Sequence, residues 1–209
     1  MMLKKLLKNK RGIVGIEAAI VLIAFIIIAA ALSYVVINMG FYTTQKTKEA
    51  MSAGLEESMT ALQLDGIITA KTNDTGYIEY LAVPVKLSAG RATIDLGENT
   101  VVVSVYLPDS TLMNIHKGAI ATDEPNWDDL IGEFSLSADQ SMFAIYNGNN
   151  NTVLESTEKA FLVIRLGNGH EISDYETVKI EVRTAKGAAL TIVRTVPGGM
   201  LPDSFVDLG

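Results

Sequence analysis

The sequence predicts an α+β protein in which one long apolar N-terminal helix precedes an antiparallel β-sandwich. Three observations carry this. From Ile13 to Met39 run 27 residues with a single charge, Glu17. Beyond them apolar residues recur at helical spacing as far as Leu64. After Gly66 the pattern changes to short runs of period two, rich in β-branched residues.

The first 12 residues form a leader. Five of the 17 basic residues (Lys4, Lys5, Lys8, Lys10, Arg11) stand in the first 11 positions. The apolar run that follows exceeds the roughly 20 helical residues that span a bilayer core. Basic residues before such a run predict a cytoplasmic N-terminus and an exported C-terminal body. An ordinary signal peptide has a shorter apolar region, about 7–15 residues, with small residues marking cleavage after it. Here the small residue, Gly12, stands before the run. Cleavage after Gly12 removes the charge and keeps the apolar segment, which then starts at Ile13 and needs partners in water. Copies of itself are the obvious candidates. Left uncut, the same run is a membrane anchor.

The helix is expected to continue past Met39. Met51, Leu55, Met59 and Leu62 fall on one helical face, which predicts packing against the chain's own body. Asp65-Gly66 supplies a stop. A helix from Ile13 to Leu64 would be about 78 Å long. Ala29, Ala30, Ala31 and Ser33 would let neighbouring helices approach closely. The predicted organisation is a leader over 1–12, a hydrophobic assembly helix over 13–65 and a β-sandwich over 66–209.

Six strands are predicted in that body: Tyr77–Leu87, Thr100–Leu107, Ser141–Asn147, Ala160–Leu166, Thr177–Arg183 and Ala189–Val196. Shorter ones are expected near Arg91–Asp95 and Phe134–Leu136. Pro84 argues that the first strand is an edge or bulged. Residues Pro108 to Glu133 read as an irregular excursion on the outer face.

Charge and composition exclude several functions. Without the leader's five cations, 12 basic residues face 24 acidic ones, a net of −12, which repels nucleic acid. There is no cysteine, so neither disulfides nor thiolate chemistry is expected. His116 and His170 are the only histidines, and no phosphate-cradling loop or G-x-S-x-G elbow occurs, so no enzyme is expected. Asp123, Glu124, Asp128 and Asp129 are hard oxygen ligands that could hold calcium if a loop gathered them. They lack the EF-hand spacing, and a solvated acidic loop is the favoured reading; no cofactor is otherwise expected. Asn73-Asp74-Thr75 and Asn150-Asn151-Thr152 are N-glycosylation sequons in predicted loops.

Three segments carry a family resemblance. "KRGIVGIEAAIVLIAFIIIAAALSYVVINMGFYTTQKTKE" resembles the class III signal and first helix of archaeal flagellins, the archaellins, which are related to type IV pilins. "EYLAVPVKLSAGRATIDL" and "YETVKIEVRTAKGAALTIVRTVPGGML" resemble archaellin body segments, whereas Pro108 to about Gly167 resembles no family segment and suits a variable outer surface. The resemblance implies an immunoglobulin-like body and cutting of Gly12–Ile13 by a prepilin-type membrane aspartyl peptidase. It also implies N-glycosylation at Asn73 and Asn150 by an oligosaccharyltransferase, and assembly by a membrane platform with an ATPase. The expected product is a homopolymer, or a polymer with related archaellins, forming the extracellular filament with which archaea swim. Its precursor would sit in the cytoplasmic membrane. An adhesive pilus of the same superfamily and a membrane-anchored extracellular binding domain are the alternatives.

Glu17 has its own logic. A lone carboxylate in an apolar helix costs several kcal/mol without a partner. Cleavage would create an α-amino group on Ile13, four residues earlier on the same face, with a reference pKa of about 7.7–8.0. Glu17 could pair with its own amine or with that of an adjacent subunit, as the pilin resemblance implies. The alternative is that it reaches lipid headgroups.

Overall fold

The computed structural model describes residues 11–59, 61–89, 93–146 and 148–209, with the side chains of the first helix from residue 15 onward. The expected leader up to Lys10 and the expected strand start at Arg91 lie outside these. The chain divides into two compact units, Met1–Gly54 and Leu55–Gly209.

The described part of the first unit is helix. Helix α1 runs from Arg11 to Ser58. Its run of Ala, Ile, Leu and Val holds no proline, and Gly15, Gly40 and Gly54 are absorbed without a break. Thr43, Thr44 and Thr47 donate their hydroxyls to the carbonyls of Met39, Gly40 and Thr43, four residues back. Those hydroxyls therefore need no outside partner.

The helix ends at Ser58, seven residues short of the expected Asp65-Gly66 stop. The reason is long-range pairing. Ala188 N–H donates to the Met59 carbonyl and Ser88 N–H to that of Ala61. Strand β1 (Leu62–Leu64) then pairs antiparallel with β3 (Ile78–Leu87). Leu62 is buried, but as part of a strand. Of the stripe expected to pack on the body, Leu55 and Met59, which belong to the second unit, are 62% and 40% exposed.

The largest sheet of the body is ordered β13 (Phe205–Asp207), β2 (Thr69–Thr72), β3, β10 (Lys159–Arg165), β8 (Gln140–Tyr146) and β7 (His116–Ala121), with β1 beside β3. A second sheet is ordered β12 (Leu190–Thr195), β11 (Thr177–Thr184), β5 (Val101–Tyr106) and β6 (Thr111–Leu112). Strands β4 (Thr93–Asp95) and β9 (Val153–Glu155) form a separate ribbon. The alternation is clear on β11, where Val178, Ile180 and Val182 are buried and Lys179, Glu181 and Arg183 are not. The main core joins such residues to Leu81, Val83, Val103, Val105, Phe143 and Leu162.

Two expectations are corrected. Phe134–Leu136 is not a strand, because Phe134 closes helix α2 (Trp127–Phe134). The Pro108–Glu133 excursion is also largely regular, holding β6, β7 and most of α2. Strand β7 pairs with β8 in parallel, the one parallel pairing among the described strands. Parallel neighbours need a crossover, and α2 is that crossover. Leu130 and Phe134 of α2 are buried with Leu136, Ala144 and Val163, making a second core apart from the main one. Asp128 and Asp129 in its first turn suit the positive end of the helix dipole.

Candidate assembly surface and surface sites

Every described side chain of α1 is exposed. Ile16, Phe25, Tyr34 and Met39 each keep more than 60% of their area open. Soluble monomers rarely show contiguous apolar patches above a few hundred Å², so this helix is an interaction surface. From Gly15 it is also long and apolar enough to cross a membrane. Glu17 lies on it beside Ala18, Val21, Leu22 and Phe25, the one charge in an apolar lining. Gly12 and Ile13 belong to the first turns of α1, and the side chain of Ile13 lies outside the described residues.

The two sequons differ. Asn73 sits in the turn between β2 and β3. Its Oδ1 accepts hydrogen bonds from Thr75 N–H at 3.0 Å, the Thr75 hydroxyl at 2.7 Å and Tyr77 N–H at 2.9 Å. Its side chain thus helps to build the turn. Asn150 is exposed on the β8–β9 connection in a left-handed conformation (φ 63°). The acceptor threonine of its sequon, Thr152, donates to Asp95 at 3.1 Å.

The four acids named as oxygen ligands are not gathered. Asp128 pairs with Lys71 at 2.5 Å, and Asp129 accepts from Asn126 Nδ2 at 3.0 Å. Glu124 is used through its backbone, its carbonyl accepting the Tyr146 hydroxyl at 2.7 Å, and Asp123 is exposed. Among the described residues no group of three or more His, Asp or Glu could share an ion.

The histidines serve the fold. His116 is buried, with Nε2 2.9 Å from the Leu96 carbonyl and its ring edge-on to Phe143. Burial holds its imidazole below the ordinary value. His170 Nδ1 lies 3.0 Å from Asp139, whose carboxylate also accepts the Gly167 N–H.

Sequence reading missed the part played by Asp65. Rather than stopping a helix, it follows β1 and pairs with Lys86 at 2.5 Å and Lys159 at 3.0 Å. Hydrogen bonds from these two ammonium groups, Lys86 first, keep its carboxyl below the usual range. The β-pattern of Tyr77–Leu87 and Ala160–Leu166 implied two strands, but not that they would be neighbours delivering both lysines to one acid.

Comparison with known proteins places these features. The family model described as archaeal-type flagellin matches residues 12–194. Probable flagellin 1 of Aeropyrum pernix is 40% identical over 206 residues, covering 97% of this chain and 100% of that protein. Probable flagellin 2 of Archaeoglobus fulgidus is 32% identical, covering 97% and 98%. Among solved structures, the crystal structure of archaeal flagellin FlaB1 from Methanocaldococcus jannaschii superposes with a TM-score of 0.60 at 19% identity, over 70% of this chain and 95% of that one. The archaeal flagellum of Methanospirillum hungatei gives 0.54 at 24% identity, over 92% and 99%. At these identities the two structures show a shared fold.

Proposed function

The chain belongs to the archaeal-type flagellin family and is a structural, non-enzymatic subunit of the archaeal flagellum filament at the cell surface, and we propose that it is made as a membrane-held precursor, cut between Gly12 and Ile13, and inserted into the filament through α1. The observation that carries this is an apolar helix whose described side chains are all exposed. Such a surface is stable in lipid or against copies of itself, and the chain polymerises with archaellins. The leader's cations fit the first state and not the second. Five positive charges next to Gly12 hold the precursor at the cytoplasmic face. Packed among helices of other subunits they would be buried without partners. Removing residues 1–12 resolves the conflict, and the family match beginning at Gly12 supports that boundary.

Moving the helix from lipid into a bundle gains little hydrophobic energy, because lipid tails are as apolar as leucine. Assembly therefore needs a machine, for which a prepilin-type peptidase, a membrane platform and an ATPase are the proposed partners. The new Ile13 amine then gives Glu17 a cation, within the chain or from a neighbouring subunit. Asn150 is the better proposed glycan acceptor. Its side chain is exposed, while Asn73 Oδ1 holds three hydrogen bonds that define a turn.

Filaments sheared from cells and submitted to N-terminal sequencing and mass spectrometry test the reading. The subunit is expected to begin at Ile13, with any N-linked mass on the peptide holding Asn150. Filament subunits that still begin at Met1 overturn the processing scheme.

A further inference from the structure

Tyr175 is a bulky residue in the left-handed backbone region (φ 65°), and its side chain is 77% exposed. For such a residue this conformation is an outlier that persists only where the surroundings enforce it. They do so here. Tyr175 N–H donates to the Val196 carbonyl, and Val196 N–H donates to that of Glu176. The ring lies on Gly198, where an added Cβ would fall 2.1 Å from Tyr175 Cζ. Gly199 N–H is held by the Asp174 carboxylate at 2.7 Å. The loop thus fixes an aromatic knob that buries little of itself in its own body. The ring packs on Gly198 on one side and leaves most of its surface open to an external contact.

The opposite end of the same sheet holds a matching hollow. Tyr175 precedes β11, and Ala185 and Lys186 follow it, about 25–30 Å away at the rise of an extended strand. There Ile94, Asp95, Thr184, Ala185 and Lys186 line a concavity of about 180 Å³. A cavity of about 150 Å³ already accepts a benzene ring. The charges also match. Exposed Asp174 flanks the knob, and exposed Lys186 flanks the hollow. Asp95 offers a carboxylate to the phenol O–H, while its Oδ1 also accepts from Gly97 N–H and the Thr152 hydroxyl.

We propose that Tyr175 of one subunit seats in the Ile94–Ala185–Lys186 hollow of the next, forming a head-to-tail contact between bodies along the filament. The proposal rests on this chain's place as a filament subunit. Two different patches meeting make a heterologous contact, the kind that propagates into open filaments rather than closing into a dimer. A local match is needed because each body, with 22 acidic against 10 basic residues over 55–209, repels its neighbours.

The chain has no cysteine, so placed thiols report the contact cleanly. Filaments of the full chain carrying Tyr175→Cys and Ala185→Cys together should give covalent multimers well beyond the dimer on mild oxidation, and each single variant should stay monomeric. Intact double-variant filaments that remain monomeric overturn the proposal, as does a dimer from Tyr175→Cys alone, which would mean a symmetric contact. If the double variant yields no filaments, Tyr175→Asn decides. Asparagine tolerates the left-handed backbone, so the body should keep its thermal midpoint while filaments dissociate at a lower temperature than the parent. Filaments as stable as the parent's, or a lowered body midpoint, reject the contact. A parent chain that forms no filaments would count against the filament reading instead.

Discussion

Pro84 is buried inside the largest sheet, where a residue without an N–H is out of place. Its carbonyl accepts the Asp65 N–H at 2.9 Å, so its nitrogen faces the same side. On that side β1 pairs as far as Val85, Asp65 just after it makes this last bond, and β2 takes over only at Ala82, so the ladder breaks at Pro84. The proline therefore needs neither an edge nor a bulge, because its neighbour is two short strands with a break between them. A one-dimensional pattern shows that a proline must avoid a ladder bond but not which partner strand will be interrupted. Glu17 is the converse case, where a single residue type at one spacing states its problem plainly. It is the one charge among the apolar residues around it, so replacing it by glutamine keeps its shape and deletes only the charge. Glu17→Gln is expected to leave the Gly12–Ile13 cut intact and to slow or abolish filament growth. Electron microscopy counts filaments and mass spectrometry reads the cut. Filaments of normal number and length on Glu17→Gln cells would show that the charge has no part in docking.

At the scale of elements, strong local patterns were legible and non-local ones were not. Strands β3, β5, β8, β10, β11 and β12 carry enough alternation to be read directly, and each lies within a residue or two of its expected bounds. The helix end was misread because Leu62 and Leu64 suit a helix as well as a strand. Only the free edge of β3, far along the chain, decides between them. Helix α2 was missed because it is only eight residues long and acidic, although Trp127, Leu130, Ile131 and Phe134 stand at helical spacing; of these Leu130 and Phe134 are buried. Those two nevertheless roof the outer face of β8 and β10. Truncating Leu130 to alanine should cost the body about 2–5 kcal/mol, the range for a buried leucine. Urea unfolding followed through Trp127, the chain's single tryptophan and the first residue of α2, measures this directly. A loss below about 0.5 kcal/mol would mean that α2 is not part of the cooperative body.

At the scale of the molecule, apolar surface and charge are divided between two stretches of chain. The helix supplies apolar surface and almost no charge before Lys46, whereas residues 55–209 hold a buried core and a net charge of −12. This division was visible in the sequence, but its boundary was not. A fragment starting at Thr72 would discard β1 and nearly all of β2. It would leave Val85–Leu87 of β3 without the partner on that side, and β13 without its own. It would also delete Asp65, the shared partner of Lys86 and Lys159, and uncover the places where Ile68 and Ala70 are buried. A fragment starting at Leu55 keeps all of these and drops the apolar run. The Leu55–Gly209 fragment is therefore expected to be soluble, monomeric and rich in β-structure, by sedimentation and far-ultraviolet circular dichroism. The Thr72–Gly209 fragment is expected to unfold at clearly lower denaturant or to aggregate. Equal stability of the two would show that β1 and β2 are not integral to the body. Filament growth from Leu55–Gly209 alone would be the more serious result, because it would remove α1 from the assembly of this flagellin.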